Sequence, residues 1–140
     1  MLIEYGPIAT SMIKKFLLLI AVFCLSSFSP VSQGDLVVKV EGLKNTKGII
    51  LTGLFDQAET FPDKAVIGKT SDISGNTTTV VFENLKPGRY ALAIIHDENG
   101  NGKMDTHPLG LPLEGFCFGN NAMGFVGPPS FKKASIVIEK

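Results

Sequence analysis

The chain has no tryptophan, only two cysteines and two histidines, and no excess of either charge: Lys and Arg number 13, Asp and Glu 13. No basic run or stripe interrupts that balance. Nucleic-acid binding is therefore excluded as an expectation, because phosphate contacts need clustered Lys and Arg. No acidic tail is present. Sustained helical periodicity is missing as well, which argues against a helical bundle. No apolar run reaches the length of about 20 residues that a membrane-spanning helix needs.

What is present is turn and strand chemistry. Gly 15, Pro 8 and Phe 10 in 140 residues suit a turn-rich β protein of one domain. The first 32 residues differ from the rest. Met12-Ile13-Lys14-Lys15 precedes an uncharged apolar stretch over 16–25, and the small residues Ser26, Ser27 and Ser29 follow. Two lysines, a short apolar core and a small-residue exit read as a secretory signal peptide. The expected organisation is an N-terminal extension and leader over 1–32, with Met12 as the functional start, and one domain over 33–140. Cleavage is expected between Ser26 and Ser32, and the product is expected in the periplasm or outside the cell, without a membrane span. A competing reading makes Cys24 the lipid-bearing residue of a lipoprotein. Against it, Phe23 stands where such signals place a small residue. Once the leader is removed, Cys117 is alone and no internal disulfide is expected.

Strand-like runs recur between Gly, Pro, Asn and Asp. They cover 36–40, 48–55, weakly 65–73, 77–82, 89–95 and 135–138. The polar stretch 56–64, with Pro62, reads as a loop, and Ser74-Gly75-Asn76 as a turn. Lys86-Pro87-Gly88 reads as a type II turn with Gly88 at positive φ. After it, Tyr90, Leu92 and Ile94 fall on one face and Ala91, Ala93 and Ile95 on the other. Apolar residues on both faces mark a central strand. This pattern predicts an all-β fold, an antiparallel sandwich of about seven strands. The Leu85-Lys86-Pro87-Gly88-Arg89-Tyr90 passage resembles the turn in transthyretin-like and carboxypeptidase-regulatory-like sandwiches, and the expected sandwich is Ig-like or transthyretin-like. The stretch 110–131 reads as one long loop with Phe116, Phe118, Phe125 and Phe131 as apolar anchors. It is either a functional loop or an aromatic-pinned cover over one open end of the sandwich.

The stretch with the clearest chemistry directly follows the strongest strand. In His96-Asp97-Glu98-Asn99-Gly100-Asn101-Gly102-Lys103-Met104-Asp105, the residues Asp97, Asn99, Asn101, Gly102 and Asp105 fall at positions 1, 3, 5, 6 and 9 of a calcium loop. Alternate oxygen-bearing side chains on a tight turn converge on one point, and a hard cation takes oxygen ligands. Lys103 stands where a backbone carbonyl would add a ligand. Pro108 occupies the position of the bidentate Glu, so Glu114 or Glu98 would have to complete the shell. The alternative is an Asx-rich turn held by its own hydrogen bonds. The expected cofactor is Ca²⁺, with Asp97, Asn99, Asn101, Lys103 and Asp105 as the ligand set.

His96 and His107 flank this loop. Together with Asp97 they make up the alternative reading, a hydrolase-like enzyme, although the chain offers no convincing nucleophile for it. Cys117 would need an adjacent base, and a lone small cysteine is more often packed. The histidines form no recognised metal-ligand spacing, and the plainer reading of His96 is that it caps the core end of its strand. The leading functional expectation is a non-enzymatic binding or envelope accessory module. Its partner would be an envelope protein, a glycan or a small molecule.

Taken together, the loop just quoted, Gly110-Leu111-Pro112-Leu113-Glu114-Gly115-Phe116, Asn120-Asn121-Ala122 and Gly127-Pro128-Pro129-Ser130-Phe131 resemble a family of bacterial exported proteins catalogued as a domain of unknown function. The likeness covers residues 82–134 best. It implies a secreted or periplasmic β domain without an assigned activity. One departure stands out: the family usually reads Glu-Gly-Tyr-Gly-Phe where this chain has Glu114-Gly115-Phe116-Cys117-Phe118. Cys117 thus fills a position that the family gives to glycine.

Overall fold

The computed structural model describes residues 33–139. The expected leader, with Met12, its apolar core and Cys24, lies outside the described residues. Seven strands run in the order β1 Gly34–Glu41, β2 Ile49–Phe55, β3 Ile67–Asp72, β4 Thr77–Leu85, β5 Gly88–Asp97, β6 Gly115–Phe118 and β7 Ser135–Ile138. A 3-10 turn at Gly119–Asn121 and a one-turn helix α1 at Phe131–Ala134 lie between β6 and β7.

The strands form two antiparallel sheets. β1 pairs with β4 alone among the described residues, and the second sheet runs β3-β2-β5. The far edge of β5 is shared: β6 takes Ala93 to His96, and β7 takes Gly88 to Ala91. β5 is central, as its two apolar faces require.

Alternation in the two sheets builds the core. On β4, Thr78, Val80 and Phe82 are buried between exposed Thr77, Thr79 and Glu83. Val38 and Val40 of β1, Val80, Phe82 and Leu85 of β4, Ile50 and Leu54 of β2, and Leu92 and Ile94 of β5 make one cluster between the sheets. Phe82 is 1% exposed; removing such a ring costs about 3–5 kcal/mol.

A second cluster lies on the opposite face of the larger sheet, over Phe55 and Ala91. Phe61, from the 56–64 loop, meets Phe55 edge-on at 5.1 Å, Phe118 at 5.7 Å and Phe131 at 6.2 Å between ring centres. Ala91 is fully buried beneath these rings; a small side chain there leaves room for them.

Two expectations need correction. Residues 110–131 are not one loop, because 115–118 form β6 and the chain then makes a 3-10 turn. Phe118 and Phe131 anchor as expected, but the cover lies on a sheet face rather than over an open end, and Phe125 is fully exposed. The turn before β5 is not type II at Gly88, which does not take positive φ. The left-handed residue is Asn84, φ 57°, a conformation asparagine tolerates. Its N–H donates to Asp35 Oδ1 at 2.9 Å, next to the point where the β1–β4 register slips by one residue.

Candidate functional site

The site grows from the C-terminal end of β5. Pairing of Ile49 with Asp97 carries β5 to the end of β2, and Asp97 is completely buried there. Its carboxylate is spent on the chain that follows. Oδ1 accepts the N–H of Gly100 at 2.8 Å and of Asn101 at 3.1 Å, and Oδ2 accepts that of Gly102 at 2.7 Å. Gly100 and Gly102 both adopt positive φ, 71° and 80°, so the loop turns tightly enough to aim these donors back at one side chain. Burial by itself would push the Asp97 carboxyl up. Donation from Gly102, Asn101, Gly100 and Asn99 outweighs burial and holds it below the ordinary carboxylate value.

The next residues build two successive Asx turns. Asn99 Oδ1 accepts the Asn101 N–H and Asn101 Oδ1 the Lys103 N–H, each at 3.0 Å. Both amides then turn to one carboxylate. Asn99 Nδ2 donates to Asp105 Oδ2 at 2.6 Å, and Asn101 Nδ2 lies 3.0 Å from both Asp105 oxygens. Asn99, Asn101 and Asp105 therefore come together, while Asp97 organises the backbone beneath them. Lys103 enters through its N–H. Among the described residues, no three His, Cys, Asp or Glu side chains group closely enough to hold a metal ion. The converging set here is one carboxylate and two amides, above a second carboxylate.

Glu114 and Glu98 act differently from cation ligands. Glu114 is 8% exposed, and its two oxygens accept the N–H of Glu98 at 2.9 Å and of Asp105 at 3.0 Å. It clasps the two ends of the loop from the start of β6. Glu98 Oε2 accepts from Asn45 Nδ2 at 2.8 Å. Pro108 sits in a small hairpin, where His107 N–H donates to the Leu111 carbonyl at 2.8 Å and Leu113 N–H to that of Asp105 at 2.9 Å.

The 43–48 connection was not singled out by the sequence pattern, yet it belongs to the site. Asn45 binds Glu98, and the Lys47 carbonyl binds His96 Nε2 at 2.8 Å. Gly48, at φ 72°, passes so close to Asp97 that any Cβ would overlap its carbonyl. No local signal marks such partners, since Asn45 and Glu98 are 53 residues apart.

His96, Asp97 and His107 are not brought into one constellation. His96 is held by Lys47, Asp97 by the loop backbone, and His107 Nδ1 by the N–H of Leu109 at 3.3 Å. Among the described residues no hydrogen bond joins any two of them. Cys117, half-buried on β6, is a free thiol that burial pushes up.

Residues 38–140 match the sequence model of a bacterial family, described as an uncharacterized protein conserved in bacteria (DUF2141). No curated protein and no solved structure matches the chain.

Proposed function

The chain belongs to that family of uncharacterized bacterial proteins, and we propose that it is an exported, non-enzymatic binding module whose 97–105 loop takes up Ca²⁺. What supports the cation is the meeting of Asn99 and Asn101 with the Asp105 carboxylate at 2.6–3.0 Å. Two amide N–H groups now supply the counter-charge to that carboxylate. A divalent cation takes over that part, and each amide oxygen has a second lone pair to turn toward it. Asp97 keeps the turn closed through Gly100, Asn101 and Gly102, as the first residue of a calcium loop does. Lys103 then contributes its carbonyl.

Binding is favoured over hydrolysis because His96, Asp97 and His107 each hold a backbone group, and a hydrolase needs an oriented base beside a nucleophile. The leader of Met12 and the following apolar run carries the export reading, with lipidation at Cys24 as its rival. The sandwich is read as transthyretin-like or Ig-like on the passage from Leu85 to Tyr90. The partner is an envelope protein, a glycan or a small molecule. Calorimetric titration of the mature domain with CaCl₂ tests the cation: a single site with Kd of about 10⁻⁴ to 10⁻³ M, the range of extracellular calcium modules, supports it. A flat titration up to about 10 mM contradicts it.

A further inference from the structure

The chain has two Asn-Gly pairs, Asn99-Gly100 and Asn101-Gly102, and all four residues are exposed. Asn-Gly is the dipeptide that loses its side-chain amide most readily, because a residue without Cβ leaves its main-chain nitrogen unhindered. That nitrogen gives up its proton and attacks the Asn Cγ. A C–N bond forms, the side-chain amide leaves as ammonia with the proton, and a cyclic imide results. Water then opens the ring to Asp or iso-Asp, so an amide becomes a carboxylate.

Here neither glycine nitrogen is free to begin. Gly100 N–H donates to Asp97 Oδ1 at 2.8 Å, and Gly102 N–H donates to Oδ2 at 2.7 Å. Asp97 is completely buried, which leaves its oxygens to these N–H groups rather than to water. Removing either proton would set a second negative charge beside the carboxylate, where little water screens it. The side-chain amides are tied as well. Asn99 Nδ2 donates to Asp105 at 2.6 Å and Asn101 Nδ2 at 3.0 Å.

From this geometry we infer that Asp97 protects both Asn-Gly pairs from deamidation, by holding the two glycine N–H groups whose protons the reaction must remove. The protection preserves the loop. A new carboxylate at 99 or 101 would face Asp105 where an amide now donates, and the like charges would repel. Iso-Asp would also lengthen the main chain inside the turn. The inference is independent of whether the loop takes up calcium.

Two measurements test it. Amide hydrogen exchange in the unmutated mature domain reads loss of the same protons. Gly100 and Gly102, although exposed, should exchange at least about tenfold more slowly than in the urea-unfolded chain. Exchange at the unfolded rate overturns the inference, and this result needs no variant to fold. In the second, the unmutated domain, Asp97→Ala and Val80→Ala are aged in neutral buffer. Tandem mass spectrometry of the tryptic peptide 90–103 then reads the acid formed at 99 and 101. The unmutated domain should keep both amides, and the same chain aged in urea should lose them. Asp97→Ala should lose them about tenfold faster than the unmutated domain, the change that one hydrogen bond to a charged group supports. Val80→Ala removes core volume from the other sheet and leaves the Asp97 bonds in place, so its rate should stay near that of the unmutated domain. Equal acceleration in the two variants overturns the inference, because general stability rather than Asp97 would then protect the pairs. Loss of the amides in the folded domain as fast as in urea overturns it too.

Discussion

Glu114 holds the backbone of Asp105 at 3.0 Å, nine residues upstream, while its other oxygen holds Glu98 at 2.9 Å. One buried carboxylate thus ties both ends of the 97–105 loop to the residue just before β6. The loop keeps its shape from outside as well as through Asp97.

Glu114→Ala should leave two backbone N–H groups near the core without acceptors. The expected loss is about 2 kcal/mol, within the range for an unsatisfied buried donor. Glu114→Gln retains one acceptor oxygen and should lose about half as much. Urea denaturation of the three proteins measures this. Equal stability of all three would mean that the clasp contributes nothing.

Asp97 gives the domain an acid-sensitive step. Its folded pKa lies below the ordinary value, so its stabilisation is present above the unfolded pKa of about 3.9 and is lost as pH falls through the folded pKa. The melting temperature should drop as pH is lowered below about 4. In Asp97→Asn that dependence should flatten, although the variant is less stable at neutral pH because an amide N–H₂ then faces the Gly102 N–H. A pH series of thermal melts on both proteins checks the sign.

The close passage of Gly48 past Asp97 makes a sharper structural prediction. Gly48→Ala introduces a Cβ against the Asp97 carbonyl at a positive φ, and should cost about 2 kcal/mol or more. Gly68→Ala, on β3, meets no atom within 4 Å at an ordinary φ and should be nearly neutral. Parallel thermal melts compare them, and equal stability of the two variants would contradict the placement of the 43–48 connection.

How much of this was legible in the sequence varies by element. β5 is legible because Tyr90, Leu92 and Ile94 alternate with Ala91, Ala93 and Ile95 over a run long enough to carry period two. β6 is not, because Gly115-Phe116-Cys117-Phe118 has four residues and is a strand only through the free edge of β5 beside it. Gly88 misled for a similar reason: Pro-Gly is strong local turn chemistry, but the slip between β1 and β4 put the positive φ on Asn84. In the candidate site, Asp97, Asn99, Asn101 and Asp105 announce themselves by spacing. Glu114 and Asn45 do not, because their roles depend on partners 16 and 53 residues away along the chain.

Export has its own outcome. Intact-mass measurement of protein recovered from the native envelope or medium should show a chain beginning between residues 26 and 32. Retention of the segment from Met12 to Leu25 would count against cleavage, and a diacylated Cys24 would establish the lipoprotein instead.

The melting temperature of the unmutated domain in calcium against chelator tests the central claim most directly. With Kd of about 10⁻⁴ to 10⁻³ M, about 10 mM Ca²⁺ should add roughly 1.4 to 2.7 kcal/mol by mass action. For a domain of this size that is a rise of about 4 °C or more, with little response to equal Mg²⁺. Asp97→Ala does not decide the matter, because it also breaks the turn. A melting temperature that is the same in calcium and in chelator would contradict the account and leave the 97–105 loop as an Asx turn held by its own hydrogen bonds.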